Sequence, residues 1–413
     1  MNYDVIIIGA GASGLMCAGT AASRGLHVML LEKMPMPARK LRISGKGRCN
    51  ITNIAPQSEF MKHIGPDTRF LKYAFATFFS KELIHFFESI GVPTITEQGG
   101  RVFPASESAQ DVVDALVKWA KKQGIEMICK EPVSCITVND NKATGIILAN
   151  GKHIPAKKVV LATGGASYPA TGSEGDGYRM AKELGHTIKP VYPALVPFET
   201  DSDIPKRLQG LSLKNVQAHI WVEGRKTASA FGEMLFTHFG VSGPIILSLS
   251  RKIQPGEIKQ KNVEISIDLK PALDHEKLDA RLLRDMDEHG KKSFNSLLKL
   301  WLPSSMIPVF ADSTGIPLEK TGNQISSAER KKIRLLLKDF RLRIIRTRGF
   351  AEAIITAGGV STSEINPVTM ESKLIKNLFF CGEVIDLDAD TGGYNLQIAF
   401  STGYLAGISM QKS

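Results

Sequence analysis

Short apolar runs alternate with a helical pattern at the start of the chain. Residues 4–8 (Asp-Val-Ile-Ile-Ile) form a β-branched apolar run stopped by glycine, which is typical of a buried strand in a parallel sheet. Residues 12–24 carry the pattern of a helix that ends before Gly25, and residues 27–31 form a second apolar run that ends at Glu32. The pattern predicts a β-α-β unit within the first 32 residues.

The same two patterns continue through the next part of the chain. Residues 80–90 read as a helix closed by Gly91, and a second helix begins at Ser108 with Asp111 three residues on, as in a capping box. Residues 125–162 form four short β runs, with turns that include Asn-Gly, a strong hairpin signal. The last run is fully apolar and ends in Thr-Gly-Gly, as expected of another buried strand.

The pattern changes between about residues 190 and 345. Residues 192–269 alternate like an antiparallel sheet or barrel, and residues 274–302 and 328–338 have leucines at helical spacing. After residue 349 the apolar, glycine-rich character of the first part returns. We therefore predict a discontinuous domain of residues 1–190 and 346–413, a β-barrel domain of residues 191–272 and 328–345, and a small helical domain of residues 273–327.

Composition narrows the class of protein only slightly. The chain has 413 residues, enough for two or three domains, and its net charge of +11 suits either an anionic partner or a plain solvated surface. No apolar run reaches the roughly 18 residues that span a bilayer, and the start lacks the basic segment of a signal peptide. The five cysteines form no C-x-x-C pair and the histidines no H-E-x-x-H, which predicts reduced thiols, no metal and a cytoplasmic protein.

A glycine pattern lies between the first predicted strand and helix. Residues 9–14 read Gly-Ala-Gly-Ala-Ser-Gly, a G-x-G-x-x-G motif. In such a turn Gly9 permits the bend, Gly11 lets the backbone approach a pyrophosphate, and Gly14 lets helix and strand pack closely. The helix N-terminus offers unpaired N–H groups to phosphate, and Glu32 is placed to accept hydrogen bonds from ribose hydroxyls. This unit predicts a dinucleotide site.

The C-terminal segment favours FAD over NAD alone. Residues 378–407 read as an apolar strand, a Gly-Glu turn, a loop and a helix of small residues, and such a segment completes the FAD site in glutathione-reductase-type flavoproteins. Gly382 and Glu383 would lie near the pyrophosphate and ribityl chain, and Gly393 would open the last helix toward the flavin. Helix N–H groups there would stabilise the negative charge of reduced flavin.

Two further stretches belong to the predicted FAD site. The strand 159–162 ends in Ala-Thr-Gly-Gly, and the loop 39–53 holds five basic residues and two glycines soon after Glu32. A P-loop is excluded because G-x-x-x-x-G-K-[ST] is absent; the alternative is a basic surface loop. The predicted FAD-binding residues are Gly9, Gly11, Ala12, Ser13, Gly14, Glu32, Lys33, Lys40, Ser44, Gly45, Gly47, Arg48, Cys49, Asn50, Val133, Thr163, Gly164, Gly382, Glu383, Asp386, Gly393, Tyr394, Asn395 and Leu396.

With these motifs in place, the chain resembles the BaiN-like, or aminoacetone-oxidase-like, family of NAD(P)/FAD-dependent oxidoreductases. The stretches that carry the resemblance are residues 44–53, 232–244, 356–360 and 392–397. At Lys46 the family more often has glycine. The resemblance implies an α/β fold: a two-dinucleotide-binding, Rossmann-like FAD domain with an inserted β-barrel and a small helical part.

The leading hypothesis is an FAD-dependent oxidoreductase. It would pass a hydride through flavin N5, between NAD(P)H or a small organic substrate and a second acceptor. The sequence has no second strand–G-x-G-x-x-G–helix unit, so a nicotinamide would visit the flavin transiently. His238, in the sequence Phe-Thr-His-Phe-Gly, is the candidate for proton transfer near the substrate; the alternative is a structural histidine bonded to backbone.

Two other functions remain open. The stretch 330–348 holds nine Lys or Arg in 19 residues and could follow an RNA backbone, as in an FAD-dependent RNA-modifying enzyme. We favour the plainer interpretation, the outer face of one helix and an exposed strand, and hence a small-molecule partner rather than nucleic acid. The third possibility is a flavin-binding protein without catalysis. The sequence gives no clear signal of the oligomeric state.

Overall fold

The computed structural model describes residues 3–65 and 67–411, apart from the side chain at 255. The chain forms two compact units: Met1–Ala194 with Phe350–Ser413, here called the sheet unit, and Leu195–Gly349, here called the barrel unit. The strands, in chain order, are β1 Tyr3–Ile8, β2 Val28–Glu32, β3 Thr52–Asn53, β4 Thr94–Thr96, β5 Arg101–Pro104, β6 Glu126–Cys129, β7 Val133–Asn139, β8 Lys142–Leu148, β9 His153–Leu161, β10 Ile188–Ala194, β11 Phe198–Thr200, β12 Ser212–Val222, β13 Arg225–Phe236, β14 Gly240–Ser242, β15 Val263–Asp268, β16 Phe340–Thr347, β17 Ile355–Val360 and β18 Leu378–Phe380.

Helices connect these strands and cover the sheets. The α-helices, in chain order, are α1 Ala12–Ser23, α2 Arg39–Ile43, α3 Gln57–Phe60, α4 Lys72–Thr77, α5 Ser80–Ser89, α6 Ala109–Lys122, α7 Asp176–Glu183, α8 Ile204–Arg207, α9 Pro244–Ser250, α10 Pro255–Gln260, α11 His275–Glu288, α12 Phe294–Trp301, α13 Ile307–Thr314, α14 Ser327–Lys338 and α15 Tyr394–Ser409. Within the part of the chain that the structure describes, none of them is long and apolar enough to cross a membrane.

The main sheet of the sheet unit has the strand order β6-β2-β1-β9-β8-β7, and β18 also pairs with β9. The pairs β6-β2, β2-β1, β1-β9 and β9-β18 are parallel, whereas β9-β8 and β8-β7 are antiparallel. Strand β1 is buried along its whole length, as its continuous apolar sequence requires in a sheet covered on both faces. Two small antiparallel sheets, β3-β5-β4 and β10-β17, complete this unit.

Helices α1 and α15 are buried on nearly every side, which their lack of charged residues allows. Glycines set how closely they approach. A Cβ added to Gly403 of α15 would lie 2.4 Å from the carbonyl oxygen of Ser13, and one added to Gly407 would lie 2.7 Å from Cβ of Thr20. The last helix therefore rests directly on the first, and this contact brings the C-terminal segment back to the N-terminal glycine turn.

The barrel unit is a closed barrel of six strands in the order β11-β14-β13-β12-β15-β16. Strand β12 alternates, with Ala218 and Ile220 buried and the residues between them partly exposed. Strand β15 is buried at Ile265 and Ile267 and also at the polar Ser266 and Asp268. Helices α11 to α14 bury leucines, Phe294 and other apolar side chains in the same core as the barrel. The core of this unit is therefore shared between the barrel and its helices.

The predicted fold class is confirmed: a Rossmann-type, mixed α/β unit is combined with a six-stranded closed barrel. The β-α-β start, the four β runs of residues 125–162, and helices α11, α12 and α14 lie where the pattern predicts them. Helices α8, α9 and α10 lie within residues 192–269, where only strands were predicted. The predicted limits of the barrel and helical domains stay predictions.

Candidate active site

In the N-terminal glycine turn, the first and third glycines are closely packed, whereas the second has free space where a side chain would be. A Cβ added to Gly9 would lie 2.6 Å from the carbonyl oxygen of Ala162, and one added to Gly14 would lie 1.9 Å from that of Gly9. A Cβ added to Gly11, the N-cap of α1, meets nothing within 4 Å. The turn is thus closely packed at Gly9 and Gly14 and open at Gly11, directly before the N-terminus of α1, as a phosphate site requires.

Glu32 lies at the end of β2 beside this turn. Its Oε2 accepts a hydrogen bond from the N–H of Ala10 (3.0 Å), and its Oε1 accepts one from the N–H of Met34 (2.9 Å). Both oxygens are held in place and keep lone pairs for ribose hydroxyls. The segment that leads to the predicted residue Val133 passes close by, since the N–H of Glu131 donates to the carbonyl of Glu32 (3.1 Å).

The predicted residue Lys33 lies in an ion-pair cluster. Its ammonium contacts carboxylate oxygens of Glu174 and Asp176, both at 2.6 Å, at the start of α7. These two partners raise the pKa of Lys33 against the opposing effect of its partial burial. Lys33 thus ties β2 to the loop before α7.

The C-terminal segment touches the glycine turn directly. The Ser13 hydroxyl donates to the carbonyl of Cys381 (3.4 Å), and a Cβ added to Gly382 would lie 2.3 Å from that hydroxyl. The N–H of Gly382 donates to the hydroxyl of Thr402 on α15 (2.9 Å). Ala12, Ser13, Gly14 and Gly382, which the sequence assigned to one site, are therefore brought together by β1, β18 and α15.

Glu383 is the centre of a polar cluster, and the sequence predicted only two of its members. Its carboxylate accepts hydrogen bonds from the ammonium of Lys40 (2.7 Å), the hydroxyl of Ser167 (3.2 Å) and the N–H of Thr356 (2.8 Å). Lys40 also contacts the Ser167 hydroxyl, and the Thr356 hydroxyl accepts from the N–H of Ser167 (3.0 Å). Lys40 and Glu383 were predicted site residues. Ser167 and Thr356 were not, although Ser167 lies two residues after the glycine pair that follows β9 and Thr356 is the first residue of the stretch 356–360 that carries the family resemblance.

The start of α15 is fixed by the loop before β3. A Cβ added to Gly393, the N-cap of α15, would lie 2.3 Å from the carbonyl oxygen of Thr52. The Asn50 amide, oriented to satisfy its neighbours, accepts from the N–H of Gly393 (3.1 Å) and donates to the carbonyl of Thr52 (3.0 Å). Asn395 accepts from the N–H of Ala389 (2.9 Å) through its side-chain oxygen. The predicted residues Asn50, Gly393 and Asn395 thus set the direction of this helix N-terminus; Leu396, in its first turn, packs against the core.

A histidine–carboxylate pair next to this helix was missed. His63 Nδ1 lies 3.0 Å from Oδ2 of Asp390, and the His63 ring stacks on the ring of Tyr394 with centroids 4.5 Å apart. The N–H of Asp390 donates to the carbonyl of His63 (2.9 Å). His63 lies in a stretch without regular periodicity, so only the tertiary pairing with the loop before α15 reveals the contact.

The loop at residues 44–50 is strongly bent. Gly45, Lys46 and Gly47 all have positive φ (57°, 58° and 85°). Ser44 donates its hydroxyl to the carbonyl of Leu41 (2.7 Å). Burial raises the pKa of the Cys49 thiol to about 12, which makes it a packing residue rather than a nucleophile.

Arg48 makes its contacts in and beside the small sheet of β3, β4 and β5. Its guanidinium pairs with Glu97 and with Glu107 (2.8 Å), and it lies 4.2 Å from the centroid of the Phe103 ring. The acidic partners raise the pKa of Arg48, and the hydrogen bond to Glu97 has the largest effect. The contacts seen here are those of a residue that shapes the loop, and its predicted contact with FAD stays a prediction.

Three more predicted residues complete the inventory. The Thr163 hydroxyl is buried without a hydrogen-bond partner among the described residues. It packs against Gly177 of α7, where an added Cβ would lie 2.0 Å from the hydroxyl oxygen. Gly164 lies against the hydroxyl of Ser173, which a Cβ at Gly164 would approach to 3.2 Å. Burial, with Asp388 nearby, raises the pKa of Asp386, whose N–H donates to the carbonyl of Val360 (2.9 Å).

His238 belongs to the barrel unit. It lies in the turn between β13 and β14, it is exposed, and its ring meets that of Phe239 edge to face with centroids 4.9 Å apart. The guanidinium of Arg348 lies over the same Phe239 ring, 4.6 Å from its centroid. The predicted role of His238 in proton transfer stays a prediction.

The residues of the sheet unit fit FAD. Open space at Gly11, the N-terminus of α1 and the fixed carboxylate of Glu32 suit an adenosine diphosphate, and the N-terminus of α15 suits the electron-rich end of a flavin. The two parts adjoin through the contact of Ser13 with Gly382. A family profile described as the HI0933-like protein Rossmann domain matches residues 3–409.

The chain belongs to this HI0933-like family. It is an FAD-binding, flavin-dependent oxidoreductase. The narrower likeness to the BaiN-like family stays a prediction.

Curated relatives match the HI0933-like chain over nearly its full length. A ribosomal RNA dihydrouridine synthase of Escherichia coli K12 is 32% identical over 98% of this chain and 96% of its own. A 3-dehydro-bile acid delta(4,6)-reductase of Clostridium scindens is 32% identical over 97% of both chains. A second ribosomal RNA dihydrouridine synthase, from Haemophilus influenzae, is 30% identical over 98% of both.

Among solved structures, a 3-ketosteroid-delta4-(5alpha)-dehydrogenase from Rhodococcus jostii RHA1 superposes with a TM-score of 0.53. It covers 100% of this chain and 97% of its own at 17% identity. At this identity the likeness supports the fold alone.

Proposed function

We propose that the protein reduces a carbon–carbon double bond conjugated to a carbonyl group, with NAD(P)H as the source of electrons. The observation that carries the proposal is the junction of the Gly9–Gly14 turn with Gly382 and the start of α15, which fits one FAD molecule. Relatives matched along the whole chain are named for products or substrates of that reaction class. In uridine and in an unsaturated keto-steroid alike, the double bond is activated by a nearby carbonyl.

The chain's own residues would bind the cofactor and set its electronics. Bound FAD supplies a ring that accepts a hydride and gives it up again. The 16-residue helix α15 directs its unpaired N–H groups outward from Gly393, and such an N-terminus stabilises a nearby negative charge by about 0.3–1 kcal/mol, or ~2 kcal/mol when partly buried. For a two-electron couple, 1 kcal/mol corresponds to roughly 20 mV. This helix therefore favours the reduced, anionic form of the ring.

Saturation of the double bond takes one hydride and one proton. The hydride adds to the carbon β to the carbonyl, and the proton adds to the α carbon once negative charge has moved onto the carbonyl. A histidine can take up and release a proton near neutral pH. His63, held by Asp390 at 3.0 Å and stacked on Tyr394, is the histidine of the sheet unit that lies beside the N-terminus of α15. We propose that His63 donates the proton that adds to the α carbon.

NAD(P)H is proposed as a transient co-substrate. Among the described residues only β1-α1-β2 forms a strand–glycine turn–helix unit with an acidic residue at the end of its second strand, and the FAD would occupy it. A nicotinamide would therefore reach the flavin without a dinucleotide domain of its own.

The two half-reactions test the proposal separately. In anaerobic stopped-flow experiments, NADH or NADPH should bleach the flavin band of the purified protein. An α,β-unsaturated ketone or a uridine-containing RNA should then restore the band and gain two hydrogens. If the reduced protein is reoxidised by oxygen alone and by no activated alkene, the proposal is wrong.

The role of His63 has its own test. His63→Gln should slow the return of the flavin band with an alkene by at least 100-fold, yet leave bleaching by NAD(P)H within about threefold, because only the second half-reaction needs the proton. Its control is His85→Gln on α5, an exposed histidine. Equal loss of both half-reactions in His63→Gln would point to a structural role instead.

A further inference from the structure

The basic stretch 330–348 is not the free cationic strip that its sequence suggests. Seven of its nine Lys and Arg residues form ion pairs within the barrel unit. The pairs are Arg330 and Arg334 with Asp279, Lys338 with Asp268, Arg341 with Glu264 and Asp339, Arg343 with Asp201, and Arg346 and Arg348 with Glu199. These charges hold α14 and β16 to the rest of the unit. If this protein binds RNA, other residues of the barrel unit must carry the contact.

The barrel unit nevertheless holds most of the excess positive charge. Residues 195–349 contain 26 Lys or Arg and 18 Asp or Glu, a net charge of +8 out of the chain's +11. A polyanion is therefore attracted to this unit more than to the sheet unit.

Strand register identifies one face of the barrel that carries aromatic and polar groups outward. Directly opposed residues of an antiparallel pair share a face. On β12 and β13 the outward pairs are Gln217 with Phe231, His219 with Ser229 and Trp221 with Lys226, whereas Ala218 and Ile220 point into the core. We call these six outward residues the outer ribbon face: Gln217, His219, Trp221, Lys226, Ser229 and Phe231.

The aromatic members of the outer ribbon face are placed to contact flat ligands. Phe231 is 60% exposed, more than any other large apolar side chain among the described residues. The guanidinium of Arg341 lies 4.3 Å from the Trp221 ring centroid and holds that ring in place. Trp221 Nε1 and His219 Nδ1 are buried and have no hydrogen-bond partner within the described part of the chain, so these two atoms are not available to a ligand on this face. The exposed ring of Phe231 is therefore the part of this face that a flat ligand can reach.

Charged residues surround the outer ribbon face, and they are neutralised by ion pairs on one side of it but not at the turn between β12 and β13. On the adjoining strand β15, Glu264 lies opposite Trp221 and the buried Asp268 lies opposite Gln217, and the two carboxylates are neutralised by Arg341 and Lys338. At the turn between β12 and β13, Arg225 and Lys226 are exposed and form no ion pair among the described residues. Lys226 also lowers the pKa of His219, after the larger effect of burial. Glu223 in the same turn is also exposed, and its carboxylate accepts from the N–H of Asn262, so residues 223–226 carry a net charge of +1.

We propose that the outer ribbon face binds single-stranded RNA, with Phe231 stacking on a base and Arg225 and Lys226 contacting phosphates. This rests on the proposed function, for which it names RNA uridine as the substrate class. Aromatic rings interleaved with basic and hydrogen-bonding side chains on a sheet are how sequence-tolerant proteins hold single strands. A second protein copy would instead call for a wider apolar patch than one exposed phenylalanine.

The test is the affinity of the purified, FAD-loaded protein for a fluorescein-labelled single-stranded RNA of about 12 nucleotides, measured by anisotropy. Phe231→Ala should weaken binding by roughly 5- to 150-fold, as expected for one lost stacking contact. Phe231→Tyr should restore it and Phe231→Leu should not, because only an aromatic ring stacks. Lys226→Ala should reduce the slope of log affinity against log salt by about 0.7.

The matched controls lie on α12, where Lys299 and Leu300 are adjacent and exposed. Lys299→Ala and Leu300→Ala should leave affinity and salt slope unchanged. Wild-type protein that fails to bind the RNA at about 50 mM salt, or controls that weaken binding as much as Phe231→Ala, would overturn the proposal. So would a dimer in size-exclusion chromatography that Phe231→Ala dissociates, since the face would then be covered by a second copy.

Failure of this inference is distinguishable from failure of the proposed function. Protein that reduces an unsaturated ketone but does not bind RNA refutes the RNA surface and leaves the reductase intact. Protein that binds RNA through Phe231 but reduces no activated alkene refutes the reductase and leaves the surface intact.

Discussion

Three glycines of one motif have three different physical roles. Gly9 must adopt φ of 103° against β9, and Gly14 must leave room for the carbonyl of Gly9. Gly11 has an ordinary extended conformation and open space where its side chain would be. The first two are therefore required by the fold, and only Gly11 is left to the ligand.

This difference predicts opposite outcomes for two substitutions. Gly11→Val should lower FAD affinity at least tenfold while the free energy of unfolding of the FAD-free protein falls by only about 1 kcal/mol, the cost of an apolar residue in place of glycine at an N-cap. Gly14→Ala should destabilise the protein by about 3 kcal/mol or more through the clash with Gly9. Flavin content per chain and urea unfolding measure the two effects. A Gly11→Val protein with full flavin content would contradict the assignment.

Lys46 occupies a position where the resembling family more often has glycine, and the structure explains that preference. Its φ of 58° is left-handed, which costs an L-residue roughly 1–2 kcal/mol relative to glycine. Lys46→Gly should therefore raise the free energy of unfolding by up to about 1 kcal/mol, after the greater chain entropy of glycine is counted. Lys118→Gly, in the exposed middle of α6, should lower it by about 1 kcal/mol. Destabilisation by both would show that the loop is not strained at residue 46.

At the residue scale, the sequence predicts what local geometry demands and misses what tertiary contact creates. The glycine turn and Glu32 follow from spacing along the chain, because one β-α-β unit contains them all. Ser167 and Thr356 meet Glu383 across 216 and 27 positions, and His63 meets Asp390 across 327. Helical or strand periodicity relates residues only a few positions apart, so it cannot predict contacts over such separations along the chain.

Among the elements, α14 shows how a charged helix is stabilised at its start. The Ser326 hydroxyl accepts from the N–H of Glu329 (3.3 Å), and the Glu329 carboxylate accepts from the N–H of Ser326 (2.8 Å), a capping box. Lys320 contacts both carboxylate oxygens of Glu329, at 2.6 and 2.8 Å. The Lys320 bond first, with the Ser326 backbone bond second, lowers the pKa of Glu329 to about 2.

This depressed pKa predicts a defined pH dependence. The folded carboxyl titrates below the unfolded one, so its contribution is complete above about pH 4.5 and is lost as the pH falls toward 2. Glu329→Gln keeps the capping geometry and should cost about 1 kcal/mol at pH 7, after discounting for solvent screening. The difference between variant and wild type should shrink below pH 4.5. Glu276→Gln, in the first turn of α11, is the control and should change little.

At the level of elements the periodicity was informative where strands and helices are long. The periodicity correctly predicts β1, α1, β2 and the four strands β6 to β9. In these elements the buried positions must be apolar, so continuous or alternating burial is visible as a pattern of apolar residues. It misses α8, α9 and α10, whose 4, 7 and 6 residues are too short for a helical period against the surrounding alternation.

The whole molecule combines a nucleotide-binding sheet unit with an inserted barrel unit that carries most of the net positive charge. The insertion is visible in the sequence as a change of period that begins and ends between apolar, glycine-rich parts. The pairing of the basic stretch 330–348 is not visible there, because the acidic partners come from distant strands and helices of the barrel unit. Charge runs indicate an interface only after their partners are known.

The central claim is that a flavin held by the sheet unit saturates a carbonyl-activated double bond. The most direct measurement is the mass of such a substrate after anaerobic incubation with the reduced protein. The account predicts a gain of two hydrogens per flavin reoxidised, for an unsaturated ketone or for uridine within RNA. Flavin that stays reduced until oxygen is admitted, with substrate mass unchanged, would contradict it.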